Sequence, residues 1–229
     1  MVLVSAALLI WYKANKTHSE LGERTQSTPL LSVLVVYTAG NRAFQRAVVA
    51  FAEFLQSQWH CKVAVDVWQR GRMAEQGPLR WLITQTEGSD KVVIVCTQRT
   101  EAWESRAGPA PQLAVLRDHT VPASAEDVFS LALNMVEGQL QCPSTLRKYC
   151  TVHLGNRPDW KCLPSALRVC KSFSVMKDVE KLGRHLHNSS PEACCFPSVG
   201  LKPDSLNSEA AGRLRDAIHE LQSSVTLSR

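Results

Sequence analysis

Thr38-Ala39-Gly40-Asn41-Arg42 sits between an apolar run and a helical one, the place where an α/β protein would hold a phosphate on backbone N–H groups. It offers a single glycine and neither the Walker nor the dinucleotide spacing, and a flavin site there would carry more hydroxyl donors. A phospho-acceptor at the end of the third apolar run would have to be acidic, whereas Cys96-Thr97 stands there. No GxSxG elbow frames a serine nucleophile. His153 reads as a strand residue, and His185 and His187 as surface helix residues. The last two are two apart, so on a helix they point away from each other and cannot share a metal. Eight cysteines are present without a CxxC pair, which removes the strong zinc and thioredoxin signals and leaves reduced structural thiols as the reading. No catalytic, cofactor-binding or metal-binding set emerges, and recognition by a surface becomes the chemistry to look for.

The elements that would position such a surface are legible. Val33-Leu34-Val35-Val36-Tyr37, Lys62-Val63-Ala64-Val65-Asp66-Val67-Trp68 and Lys91-Val92-Val93-Ile94-Val95-Cys96 are β-branched apolar runs separated by helical segments. Continuous apolar strands alternating with helices predict an α/β domain whose parallel sheet is covered on both faces. Phe44, Val48, Phe51 and Leu55 recur at helical spacing and predict a helix over residues 42–58. Residues 69–77 read as a loop, and Pro78 opens a helix with Gly77 just outside it. Residues 98–122, with three prolines, read as a surface insertion. Ser124 is a candidate N-cap for a helix over 125–140 with two apolar columns, Val128-Ala132-Met135 and Phe129-Leu133-Val136-Leu140. A fourth strand is expected over 149–154, an edge strand over 171–176 and a short helix over 178–187.

The net charge of +5 is spread among acids, so the dense basic face of a nucleic-acid binder is absent. Residues 1–12 are apolar and are followed by Lys13 and Lys16, too short a run for the roughly 20 residues that span a bilayer. A signal peptide would carry its positive charge before the apolar core. The order seen here, with Trp11-Tyr12 at the edge, favours the inner end of a membrane helix over a signal peptide or a buried helix. Residues 13–29 then form a juxtamembrane linker, 30–187 the domain, 188–204 a second linker and 205–225 an amphipathic helix. That last helix either docks back or waits for a partner.

In order and spacing, the first and third strand runs, Phe51-Ala52-Glu53-Phe54-Leu55-Gln56, Val63-Ala64-Val65-Asp66-Val67-Trp68-Gln69, Gly77-Pro78-Leu79-Arg80-Trp81-Leu82 and Val175-Met176-Lys177-Asp178 resemble the SEFIR domain of interleukin-17 receptors. Trp68-Gln69, Gly77-Pro78 and Thr84-Gln85 are most similar to the receptor B type, while 98–122 has no matching block. The resemblance implies a five-stranded parallel sheet of flavodoxin-like, TIR-like form in the cytoplasmic part of a single-pass plasma-membrane receptor. It further implies docking on the SEFIR domain of a U-box adaptor, contact with other interleukin-17 receptor chains, and signalling through TRAF-type ubiquitin ligases to NF-κB and MAP kinases. No cofactor is implied.

Docking of this kind needs more than about 1,000 Å² with an apolar centre and a charged rim. The 125–140 helix offers Phe129 and Leu133 as anchors with Glu126 and Asp127 as rim charges. The 70–77 segment offers Arg70, Arg72 and Glu75. Phe129→Asp is then expected to weaken docking and leave the fold intact. The competing reading is enzymatic: some TIR domains cleave NAD with a glutamate in a cleft, and Glu75 or Glu87 would have to fill that role, without a matching motif around either.

Overall fold

The computed structural model describes residues 31–38, 40–96, 123–155, 163–187 and 208–226. The apolar start, the linkers over 13–29 and 188–204 and the 98–122 insertion therefore lie outside the described residues. No helix among the described residues is long and apolar enough to cross a membrane.

Five strands, β1 (Ser32–Tyr37), β2 (Lys62–Val65), β3 (Lys91–Cys96), β4 (Tyr149–His153) and β5 (Lys171–Ser174), pair in the order β2-β1-β3-β4-β5. Every pairing is parallel, with Val33 opposite Val63 and Lys91, Val93 opposite Cys150, and Val152 opposite Phe173. Because successive side chains point to opposite faces, each central strand feeds two cores. Val33, Val35, Val93, Val95, Cys150 and Val152 enter one. Leu34, Val36, Val92, Ile94, Cys96 and Tyr149 enter the other. Both faces must then be covered, as the unbroken apolar runs predict.

On the first face lie α1 (Arg42–Trp59), α7 (Val175–His187) and α8 (Glu209–Thr226). On the second lie α2 (Arg70–Gln76), α3 (Pro78–Glu87), α4 (Ala123–Gly138) and α6 (Ser165–Arg168), with α5 (Pro143–Leu146) a single exposed or half-buried turn before β4. Asn41 caps α1 by accepting the Phe44 N–H at 2.8 Å. Its C-terminus closes on His60 in the left-handed region (φ 49°), whose N–H reaches the Leu55 carbonyl.

Several boundaries differ from the sequence expectation. The second strand stops at Val65, because Asp66 turns the chain into a 3₁₀ turn (Asp66–Trp68): its carboxylate accepts the Val67 N–H at 2.7 Å and its carbonyl accepts the Gln69 N–H at 2.9 Å. The 69–77 loop is largely α2, a helix too short to reveal periodicity since Met73 is its one buried residue. Helix α4 already begins at Ala123, so Ser124 lies inside it and not at its cap. Val175 and Met176 leave the edge strand for α7, which kinks at Asp178 (φ −116°, ψ 21°); the Asp178 carboxylate accepts the Ser174 N–H at 3.1 Å and restarts the helix. Within α4 both apolar columns are used for packing, with Val128, Phe129, Ala132, Leu133 and Val136 all buried, whereas Leu140, expected at the end of the second column, lies beyond the helix and is exposed.

Candidate docking surface

The strand order reverses between β1 and β3, and ligands of doubly wound sheets gather outside the carboxyl ends at such a point. Here Thr38 is tied down by donating its N–H to the Val95 carbonyl at 3.2 Å. A Cβ added to Gly40 would stand 2.9 Å from Cδ1 of Phe44. The glycine thus makes room for the first core residue of α1, which answers in structural terms why one glycine occurs there without a phosphate-binding series.

Next to this point a polar network anchors the 3₁₀ turn to the sheet. Tyr37 donates its hydroxyl proton to Asp66 Oδ2 at 3.1 Å and accepts from Gln45 Nε2 at 3.0 Å, while Asp66 is 3% exposed. Burial pushes the Asp66 carboxyl above the ordinary carboxylate range; the bonds from Tyr37 and Val67 and the nearby Arg70 guanidinium pull it part of the way back. The Tyr37 hydroxyl is also pushed well up, first by burial and then by the Asp66 charge. Folded protein therefore holds the Asp66 proton more tightly than the unfolded chain. The associated stability is complete below the unfolded carboxylate pKa of about 3.9 and is lost as pH rises through the raised folded value. Asp66→Asn is accordingly expected to gain on the wild type as pH rises above the unfolded carboxylate pKa of about 3.9. The gain should be read as a melting temperature higher by about 2–4 °C for each kcal/mol relieved. Melting curves with the same pH response in both proteins would refute this placement of the charge.

The turn leads into α2, and Trp81 on α3 holds α2 down by donating its Nε1–H to Gln69 Oε1 at 3.1 Å. Gly77 joins the two helices at φ 78° and ψ 156°, a conformation close to glycine-only, and serves as C-cap of one and N-cap of the other. This fixed corner turns Trp81 and Leu82 inward, both 0% exposed, and leaves Leu79 51%, Trp68 40% and Ile83 39% exposed. Leu79 and Ile83 are four apart and share one helix face. With Gln76, Gly77, Pro78 and Arg80 they line a shallow, mainly apolar groove. Arg70, Arg72 and Glu75 are exposed on α2 beside it.

Of the sequence-derived site residues, Arg70, Arg72 and Glu75 thus stand on the surface of one short helix, and Asp127 is exposed on α4. The side chain of Glu126 lies outside the described residues. Phe129 and Leu133 are corrected: at 4% and 2% exposure they belong to the core beneath α3 and α4 and cannot be surface anchors. The exposed apolar residues that sequence reasoning did not single out are Trp68, Leu79 and Ile83. A signal for two of them existed, since Leu79-Ile83 and Trp81-Leu82 lie on different sides of α3 and only one side can face a sheet.

Glu75 and Glu87 are both exposed on helix surfaces, not enclosed in a cleft. His153 is buried and its Nε2 is 3.0 Å from Ser172 Oγ. His185 and His187 are half-buried and not surface residues as expected; burial and the charges of Lys91 and Lys171 hold His185 down at about 4, and burial lowers His187 as well. Cys61, Cys96 and Cys150 are buried free thiols pushed up to about 12, and Cys170 to about 11, by loss of water, which makes them poor nucleophiles. Among the described residues no three His, Cys, Asp or Glu side chains are grouped to hold a metal.

The chain is 32% identical over 178 residues to interleukin-17 receptor B of Mus musculus, an alignment covering 77% of this chain and 34% of that protein. It is 30% identical over 182 residues to interleukin-17 receptor B of Homo sapiens, with the same coverage of 77% and 34%. The chain therefore spans about a third of the length of these receptor B relatives. Among solved structures it is similar to the crystal structure of the interleukin-17 receptor B SEFIR domain, with a TM-score of 0.50 and 30% identity over 69% of this chain and 95% of that one. Residues 31–186, which carry all five parallel strands and the helices from α1 to α7 but for the last residue, match the SEFIR domain family, and the chain belongs to that family.

Proposed function

We propose that this chain is the signalling part of an interleukin-17 receptor. Its SEFIR domain binds, like to like, the SEFIR domain of a U-box adaptor, through which TRAF-type ubiquitin ligases are engaged and NF-κB and MAP kinase pathways activated. Other interleukin-17 receptor chains are the second class of partner, and the domain works on the cytoplasmic side of the plasma membrane beneath a single span. The observation that carries the docking part is the α2–α3 corner: an exposed apolar pair, Leu79 and Ile83, set in a groove with Arg70, Arg72 and Glu75 close by in the chain. Apolar anchors with a charged rim are what a protein–protein contact requires. A corner braced by Gly77, Trp81–Gln69 and Tyr37–Asp66 is already in shape, so little ordering cost opposes binding.

The test is co-precipitation of the chain with a SEFIR-containing U-box adaptor. Leu79→Asp with Ile83→Asp is expected to weaken capture at least about 30-fold, the loss of about 2 kcal/mol typical of a removed anchor. Circular dichroism should be unchanged, because both side chains already meet water. Undiminished capture by a folded double variant would remove this corner from the interface.

A further inference from the structure

Helix α8 lies beyond the family match, which ends at residue 186, yet it packs along α1. Arg46 pairs with Glu220 at 2.5 Å and Arg213 stands 3.8 Å from Glu53, so rising numbers in one helix meet falling numbers in the other and the two run antiparallel. Each helix spaces its basic and acidic member seven residues apart, about two turns. All four side chains are between 42% and 58% exposed, which makes these contacts weak and open to salt.

Alongside the charges, α8 buries Ala210, Ala211, Leu214 and Ile218, with Ala217 and Leu221 half-covered. At about 100° per residue, Ala47, Ala50 and Phe54 of α1 lie on the flank between the sheet-facing stripe of Val48, Phe51 and Leu55 and the side bearing Arg46 and Glu53. That flank joins the same core as the sheet-facing stripe, with Ala47 and Phe54 buried and Ala50 half-buried. The contact from α8 is built largely of alanine, with Leu214 and Ile218 as its large, fully buried members. Twenty residues, 188–207, join α7 to α8.

We propose that α8 is a displaceable cover. It occupies a helix-docking face on α1, formed by Ala47, Ala50 and Phe54 between Arg46 and Glu53, and leaves that face without unfolding the sheet. A partner's amphipathic helix with the same order, a basic residue seven positions before an acidic one beside a Leu/Ile stripe, then takes its place. This surface lies on the opposite side of the sheet from the α2–α3 corner, so its test is independent of the docking proposed above.

Hydrogen exchange of the full chain tests the detachment. Amides of α8 are expected to exchange through an opening at least about tenfold more populated than that exposing β3, and more so in about 0.5 M salt. Exchange of α8 and β3 by one opening with the same denaturant dependence would overturn the proposal. The docking face is tested with a fluorescent peptide of residues 205–229 added to full chain carrying Leu214→Asp and Ile218→Asp. Saturable binding is expected, weakened about tenfold on adding Arg46→Glu with Glu53→Arg and restored by a peptide carrying Arg213→Glu with Glu220→Arg. A doubly substituted chain that loses its cooperative melting transition, or that stays folded and takes up no peptide, refutes the idea.

Discussion

Phe129→Asp is expected to abolish folding. The ring is 4% exposed and sits with Val128, Ala132, Leu133 and Trp81 in the core on the second face of the sheet. Removing a buried phenylalanine costs about 3–5 kcal/mol, and a carboxylate left there without a partner adds several more. The sum exceeds about 5 kcal/mol, against a whole-domain stability of about 5–15 kcal/mol. Loss of the near-ultraviolet dichroism signal and of cooperative urea unfolding would be the readout. Asp127→Arg, two residues away but exposed, should change stability by less than about 0.5 kcal/mol. A folded Phe129→Asp protein would mean that α4 does not pack as described. The comparison also corrects the use of Phe129 as a binding probe: a variant that does not fold says nothing about an interface.

Trp81→Ala should be the second-largest loss, about 3–5 kcal/mol in urea unfolding, with the midpoint lowered and the slope unchanged. The indole is 0% exposed and is also the strut that holds Gln69 at the start of α2. Trp81→Phe keeps most of the buried area and loses the N–H bond, so it should cost closer to about 1–2 kcal/mol. Because the same indole sets the angle between α2 and α3, capture of a SEFIR partner should fall in Trp81→Ala even at temperatures where the protein remains folded. A loss below about 1 kcal/mol would contradict the packing.

The parts of the fold written in long periodic runs were legible. Val33 to Tyr37 and Lys91 to Cys96 are unbroken apolar segments whose burial on both faces leaves a covered parallel sheet as the one economical solution. The stripe of α1 announces its helix within a residue of where it ends. What failed were short elements and choices between faces. Seven residues are too few for α2 to display a period, and a single Asp66 carboxylate converts the end of a strand into a turn. Lys91, charged and at the head of a strand, gives no sign in sequence of being 0% exposed; in the structure its ammonium donates to the Arg147 carbonyl at 2.6 Å, a partner 56 positions away.

The candidate site divides the same way. Arg70, Arg72 and Glu75 could be named because charge on a short polar segment almost always meets water. The sequence points to Phe129 and Leu133 as surface anchors and does not single out Leu79 and Ile83, for one physical reason: amphipathicity says that a helix has an apolar side without saying which neighbour covers it. Helix α4 has two apolar columns, both covered as far as the helix extends, whereas α3 has two apolar sides and one is left to solvent. Local patterning in the sequence alone therefore determined the strand cores and the parallel sheet, and the resemblance of its sequence blocks indicated the family. Only tertiary packing decided which apolar faces remain open, at the α2–α3 corner, and which are closed, as α8 closes the flank of α1. That choice depends on contacts between residues far apart in the chain, such as Arg46 with Glu220, and no window of neighbouring residues contains it.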